Sequence, residues 1–182
     1  MSTTTATTGL TTGTWTIDPS HSEASFTVRH AGISKVRGTV AITEGAVVVG
    51  EDGTATVTAT LDPATVSTGD ATRDGHLTTA DFFEVETYPT WTFSSSAVQV
   101  SDEADVPGEL TIHGVTQPVT LAVEFNGAAK DAYGNQRAGF TGTTTISRKE
   151  FGLTWNAALE AGGVLVSDKV QITLEVSTIA QA

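Results

Sequence analysis

Alternation of apolar and polar residues, position by position, is the feature that most constrains the fold of this chain. From Thr54 to Leu61, alanine, valine or leucine at each odd position alternates with threonine at each even position. In a β-strand, successive side chains point to opposite faces, and β-branched threonine suits the outward face. The same period of two recurs in residues 24–29, 119–126 and 138–147. The chain is therefore predicted to be all-β, with one apolar and one polar face on each strand.

Turn signals, such as those at residues 51–53 and 131–134, separate eight or nine such strands. Because each strand has one polar face for the solvent and one apolar face for the core, a parallel sheet covered by helices on both sides is excluded. A sandwich or a closed antiparallel barrel remains, and the lack of covering helices favours the barrel, which has no exposed edge. Many inward residues are small, which is consistent with an interior that holds a ligand, although a sandwich core would tolerate the same residues.

One stretch, residues 72–83, does not alternate. Four-residue spacings, as between Leu77 and Asp81, predict one or two helical turns, with Ser67 or Thr68 as a cap and Asp70 at the positive end. We expect this short helical insertion to close one end of the barrel, either as a mobile lid or as a fixed plug. Residues 148–155 break the alternation a second time.

Composition limits the partners and the organisation of the chain. Its 182 residues suit one domain, which we place at residues 14–182 after a flexible Thr-rich tail at residues 1–13. A net charge of −12 argues against nucleic acid and anionic membrane surfaces as partners, and no apolar run is long enough to span a membrane. The N-terminus has no basic start and no apolar core of a signal peptide, so a cytoplasmic location is expected.

The four histidines, His21, His30, His76 and His113, lack the close spacing of metal ligands, so neither a metal nor a cofactor is expected. Asp18, Ser20 and His21 include the residue types of a hydrolytic triad, but they lie within four residues and no nucleophile elbow surrounds them.

Other polar residues could contact a ligand or hold the fold together. His30 shares the parity of inward residues and could face the end of the interior. Arg73, Asp74 and His76 could clamp a head group or form a catalytic pair, but an ion pair that fastens the helix to the barrel is favoured for Asp74, with Arg73 or Arg148. Arg148 ends an otherwise apolar inward row, so it needs a partner, for which Glu150, Asp74 and Asp81 are candidates. Either arginine could instead bind a phosphate.

Four blocks of sequence resemble the YceI-like family. They are IDPSHSEASFTVRHAGISKVRG at residues 17–38, RDGHL at 73–77 with DFF at 81–83 and YP at 88–89, GELTIHGVTQPV at 108–119, and ISRKEFG at 146–152. They occur in order within residues 14–179. The resemblance implies a single lipocalin-like antiparallel barrel of about eight strands with a long lumen. It also implies binding of polyisoprenoids such as polyprenyl phosphates or isoprenoid quinones, without established catalysis.

We therefore expect a lipid-binding carrier or storage protein and not an enzyme. An enzyme acting on an isoprenoid-type substrate, or a stress-related module without a ligand, are the alternatives. A homodimer is left open, and embedding in a membrane is not expected. The residues predicted to form the apolar lumen are Phe26, Val28, Val40, Val57, Leu61, Phe82, Trp91, Phe93, Leu121, Val123, Phe140, Ile146, Phe151, Trp155, Ile172 and Leu174. Those predicted to reach a polar head group are His30, Arg73, His76 and Arg148.

Overall fold

The computed structural model describes residues 9–160 and 162–182, and the predicted all-β fold is confirmed. The strands are β1 Gly13–Ile17, β2 Glu23–His30, β3 Ser34–Val49, β4 Thr54–Ser67, β5 Trp91–Ser95, β6 Val98–Gln99, β7 Glu103–Ile112, β8 Val115–Lys130, β9 Gln136–Ser147 and β10 Val166–Ala180. One helix, α1 Ala71–Leu77, and two 3₁₀ turns, Pro19–His21 and Arg148–Phe151, complete the secondary structure of these residues. Residues 1–8 of the predicted Thr-rich tail lie outside the described residues.

The sheet closes into an eight-membered antiparallel ring. Strands β2, β3, β4, β5, β7, β8, β9 and β10 are neighbours in that order, and β10 pairs back with β2, placing Ile172 opposite Phe26. The short strand β1 pairs with β3 and β10 beyond the start of β2, so β1 and β2 share one position in the ring. In the same way β6 pairs with β4 beyond β5. The predicted single barrel of about eight strands is therefore confirmed.

The two ends of the barrel differ in what covers them. One end, here called the helix end, carries α1, the segment to Trp91, residues 148–160 and 162–165, and the turns at 31–33 and 113–114. The opposite end, here called the turn end, carries the turns at 50–53 and 131–135. No helix in the described part of the chain is long and apolar enough to cross a membrane.

The largest buried cluster fills the helix end. Phe82, Phe83, Trp91, Phe151 and Leu153 belong to it. The rings of Phe83 and Trp91 stand edge to face, with centroids 4.8 Å apart, a geometry that favours aromatic pairs. This aromatic packing buries the segment that follows α1, and α1 itself contributes the partly buried Leu77, as expected for a segment that closes a barrel.

Asp70 caps α1, and the caps proposed from the sequence at Ser67 and Thr68 are wrong. Its carboxylate accepts a hydrogen bond of 3.0 Å from the backbone N–H of Arg73, and this bond lowers the pKa of Asp70. The helix ends at Leu77, and residues 79–83 form turns. Thr78 is the C-cap of α1.

Candidate ligand cavity

An apolar cavity of about 260 Å³ lies inside the barrel and is lined by residues from both ends. Its wall follows from the period of two, because every second residue of each long strand points inward. On β10 these residues are Val170, Ile172, Leu174 and Val176, and the residues between them face outward.

The side chains of the barrel do not fill its interior. Val123, Ile172 and Leu174 line the cavity, yet each is only half-buried, since open space lies in front of it. Gly142 adds to this space, because a Cβ there would lie 3.6 Å from Leu174 Cδ1 and 3.9 Å from Val123 Cγ2, at ordinary contact distance. The wall therefore leaves room for a guest molecule, which a self-filled barrel would not have.

Most of the residues predicted to form the lumen lie in this wall. They are Phe26, Val28, Val40, Val57, Leu61, Phe82, Trp91, Phe93, Leu121, Val123, Phe140, Ile146, Ile172 and Leu174. Phe151 and Trp155 do not. Phe151 is buried in the core of the helix end, and Trp155 packs on the rings of His76 and Phe82 at 4.9 and 5.2 Å. Both follow the point where β9 ends in a 3₁₀ turn, so strand parity no longer decides where they point.

The sequence prediction also missed part of the wall. Val119, Phe125 and Val176 line the wall. Their positions alternate in the same way as the predicted inward residues, so the sequence pattern was sufficient to identify them. Leu10 and Leu77 line it from the N-terminal segment and from α1, where no alternation marks an inward face.

Arg148 is the one charged residue in the wall among the described residues, and its side chain is only 4% exposed. Its Nε donates to the carbonyl of Ser167 at 2.9 Å, and NH2 donates to that of Val166 at 3.1 Å. NH1 donates to the carbonyls of Leu153 at 2.6 Å and Trp155 at 2.9 Å. Burial lowers the pKa of the guanidinium, and the charge of Asp168 opposes that change. Arg148 therefore ties residues 153–155 to the start of β10.

The carboxylate partners predicted for Arg148 are wrong. Asp74 accepts hydrogen bonds from the backbone N–H and the hydroxyl of Thr68, at 2.9 and 2.5 Å. Arg73 binds the same residue, with Nε donating to Thr68 Oγ1 at 2.7 Å and NH2 donating to its carbonyl at 2.9 Å. The ion pair predicted for Asp74 with Arg73 or Arg148 is not formed among the described residues, and Arg73 and Asp74 instead fasten α1 to the end of β4 through Thr68.

A sequence model of the YceI-like domain matches residues 15–178. The chain belongs to the YceI-like family. A UPF0312 protein of Staphylococcus aureus strain USA300 is 37% identical over 160 residues, which cover 86% of this chain and 92% of that protein.

Two solved structures share the YceI-like barrel. Burkholderia cenocepacia BcnA is 24% identical with a TM-score of 0.72, and the match covers 88% of this chain and 98% of BcnA. A polyisoprenoid binding domain from Saccharophagus degradans, implicated in plant cell wall breakdown, is 16% identical with a TM-score of 0.68. That match covers 92% of this chain and 98% of the domain. At these identities the likeness shows the shared fold.

Three of the four residues predicted to reach a head group lie outside the cavity wall of this YceI-like barrel. Arg73 and His76 are on α1, and His30 ends β2 opposite Ser34 and Val166. His76 Nε2 lies 2.8 Å from Asp81 Oδ2, and its ring stands edge-on to Phe82 and Trp155. Only Arg148 of the four faces the cavity, and its donors are engaged by backbone carbonyls.

Asp18, Ser20 and His21 come together on the outside of the barrel, but not as a triad. The same nitrogen of His21, Nδ1, lies 3.0 Å from Ser20 Oγ and 2.8 Å from Asp18 Oδ2. A catalytic histidine uses its two ring nitrogens separately, one for the nucleophile and one for the acid. Asp18 is also bound by Arg137 NH1 at 2.9 Å. The arrangement is that of a capped turn, with Asp18 accepting from Ser20 N at 3.0 Å.

Proposed function

We propose that the protein binds a polyisoprenoid, either a polyprenyl phosphate or an isoprenoid quinone, inside the barrel and carries or stores it. The observation that carries the proposal is the apolar cavity of about 260 Å³ that side chains from both ends of the barrel line. The YceI-like family and the polyisoprenoid binding domain of the same fold from Saccharophagus degradans support this ligand class.

The energetics of burial favour such a ligand. Each methylene group removed from water contributes about 0.8 kcal/mol. A prenyl unit contains five carbons, so a few units offer enough gross free energy to offset the ordering cost of binding. Affinity would then depend on the length of apolar wall in contact with the chain, and different head groups could be tolerated.

The proposed contacts are the wall residues named above, with the prenyl chain along the inward faces of β2, β8, β9 and β10. A head group at the helix end would lie near α1, which carries Arg73 and His76 beside the wall residue Leu77. Arg148 is a weaker candidate for a phosphate, because its donors already bind carbonyls. We propose binding without catalysis, and a cytoplasmic location and a homodimer remain predictions from the sequence.

The experiment is extraction and uptake with the full chain. Protein purified without added lipid is extracted with organic solvent, and the extract is analysed by mass spectrometry. Delipidated protein is then titrated with a polyprenyl phosphate and with a quinone of equal chain length, following tryptophan fluorescence, because Trp91 lines the wall. Co-purified isoprenoid or saturable uptake is expected. Absence of both would contradict the proposal.

Catalysis on an isoprenoid-type substrate is a second candidate, favoured by the contact of 2.8 Å between His76 Nε2 and Asp81 Oδ2 beside the wall residue Phe82. Histidine–carboxylate pairs are common in general acid–base catalysis. Prolonged incubation with polyprenyl phosphate, followed by mass analysis, tests it. A product that wild type forms and His76→Gln does not would favour catalysis, whereas lipid of unchanged mass would contradict it.

A further inference from the structure

Charge is distributed unevenly over this acidic protein. Residues 24–43, which include most of β2 and the first part of β3, contain Arg29, Lys35 and Arg37 and no carboxylate. The net charge of the whole chain is −12. A cationic area therefore exists within a protein whose total charge has the opposite sign.

The fold brings five cations to one side of the helix end. Arg29 lies opposite Lys35 in the pairing of β2 with β3. Their side chains point outward, because the neighbouring residue Val28 points into the cavity. Lys169 on β10 is likewise next to an inward residue, Val170. We define the basic face as the exposed residues Arg29, Lys35, Arg37, Lys149 and Lys169.

The charges of the basic face are not paired with carboxylates. Among the described residues, the lysine and arginine ion pairs all belong to Arg137, at the opposite end of the barrel. Asp168 interacts electrostatically with Lys149 and Lys169 without forming an ion pair with either, and it accepts hydrogen bonds from Ser147 Oγ at 2.7 Å and from the backbone N–H of Lys149 at 3.1 Å. The basic face therefore keeps a net positive charge.

An exposed aliphatic tip adjoins the basic face. Ile33, in the turn between β2 and β3, is 87% exposed. The neighbouring loop contributes Val164, which is 51% exposed, and the two loops are joined by a hydrogen bond of 2.7 Å from Ala31 N to the carbonyl of Leu165. Exposed aliphatic side chains flanked by lysine and arginine are typical of proteins that lie on an anionic lipid surface.

We infer that the basic face and Ile33 dock the protein on an anionic lipid bilayer, with the cations near lipid phosphates and Ile33 in the headgroup region. Nucleic acid also offers phosphates, but it offers no site for Ile33. The inference goes beyond the proposed function and does not depend on it, because docking requires no isoprenoid.

Docking at this place would bring the cavity wall close to a source of lipid. The inward faces of β2 and β10 line the cavity through Val28 and Val170, directly behind the basic face. A protein held there would present the helix end to the membrane and its acidic strands to the solvent.

Vesicle flotation with the full-length chain tests the inference. Vesicles of equimolar phosphatidylglycerol and phosphatidylcholine are compared with vesicles of phosphatidylcholine alone, and neither contains isoprenoid. We expect binding to the anionic vesicles only, weakened by high salt. Lys35→Glu is expected to weaken it about tenfold or more, and Ile33→Ser should weaken it at unchanged charge.

Lys130→Glu is the matched control, because it makes the same change of charge at the turn end, where Lys130 is exposed. Thermal melting confirms that each variant is folded. The inference is overturned if wild type does not float with anionic vesicles, or if Lys130→Glu weakens binding as much as Lys35→Glu. Tighter binding to a DNA duplex than to the vesicles would also overturn it.

Discussion

Gly142 and Leu174 face each other across β9 and β10, and a Cβ on Gly142 would lie 3.6 Å from Leu174 Cδ1. This contact is an ordinary one, so the backbone tolerates a side chain at position 142. Anything larger than a methyl group would have to extend into the cavity. Gly142 is therefore a position where the cavity can be filled without disturbing the strands that form it.

Gly142→Phe is expected to weaken uptake of polyprenyl phosphate at least about tenfold, since the ring would occupy space that the ligand needs. Titration followed by fluorescence or by recovery of bound lipid measures the effect. Thr143→Phe is the control, because Thr143 is the next residue of β9 and faces outward. Equal uptake by both variants would show that the ligand binds elsewhere.

Arg148→Ala is expected to destabilise the fold by about 3 kcal/mol, because several buried carbonyls would lose their donor. The carbonyls of Ser167, Leu153, Trp155 and Val166 are the groups affected. Denaturant unfolding measures the change. Lys149→Ala removes a neighbouring exposed cation and should have little effect. Unchanged unfolding with abolished lipid uptake would instead assign Arg148 to the head group.

The architecture could be predicted because strand parity is a local property. In residues 54–61 the alternation decides which face is apolar, and the structure has that segment within β4. The shared ring position of β1 and β2 could not be predicted in this way. It depends on pairing between distant residues, such as Trp15 with Ala180, which no local pattern encodes.

The candidate site could be predicted wherever its residues lie on strands. The hydrogen-bond partners of Arg148 could not be predicted, because they are backbone carbonyls, which every residue has and which no sequence pattern marks. Phe151 and Trp155 lie where alternation stops, so their aromatic character alone did not locate them. The basic face could not be predicted from the net charge. That value is a sum over the whole chain, and it does not show that Arg29 and Lys35 lie opposite each other on neighbouring strands.

Arg137 is expected to contribute stability that depends on pH. Its Nε donates to Asp131 at 2.7 Å and its NH1 to Asp18 at 2.9 Å, joining β9 to two turns. The hydroxyl of Ser20 and then Arg137 hold the pKa of Asp18 well below its usual range, and Arg137 does the same for the pKa of Asp131.

Because both carboxyls have a lower pKa in the folded state, their stabilisation is complete above the unfolded pKa of about 4 and is lost as pH falls through the folded value. Arg137→Met should therefore lower the melting temperature at pH 7, and the difference from wild type should narrow progressively below about pH 4. Lys130→Met removes a nearby exposed cation that forms no ion pair among the described residues, and it should show no such dependence. A difference that stayed constant down to pH 2 would contradict the assignment.

Thr68 is the residue through which α1 is held, so it offers a test of whether the helix moves to admit lipid. Its hydroxyl donates to Asp74 at 2.5 Å and accepts from Arg73 Nε at 2.7 Å, and Thr68→Val removes both bonds while keeping the shape of the side chain. If α1 is a lid, its opening should become easier by about 1 kcal/mol, and uptake of lipid should accelerate roughly fivefold. Stopped-flow fluorescence measures the rate, with Thr92→Val on the exposed face of β5 as the control. An unaltered rate would make α1 a fixed plug and would place lipid entry near residues 148–155, where Arg148 holds the loop.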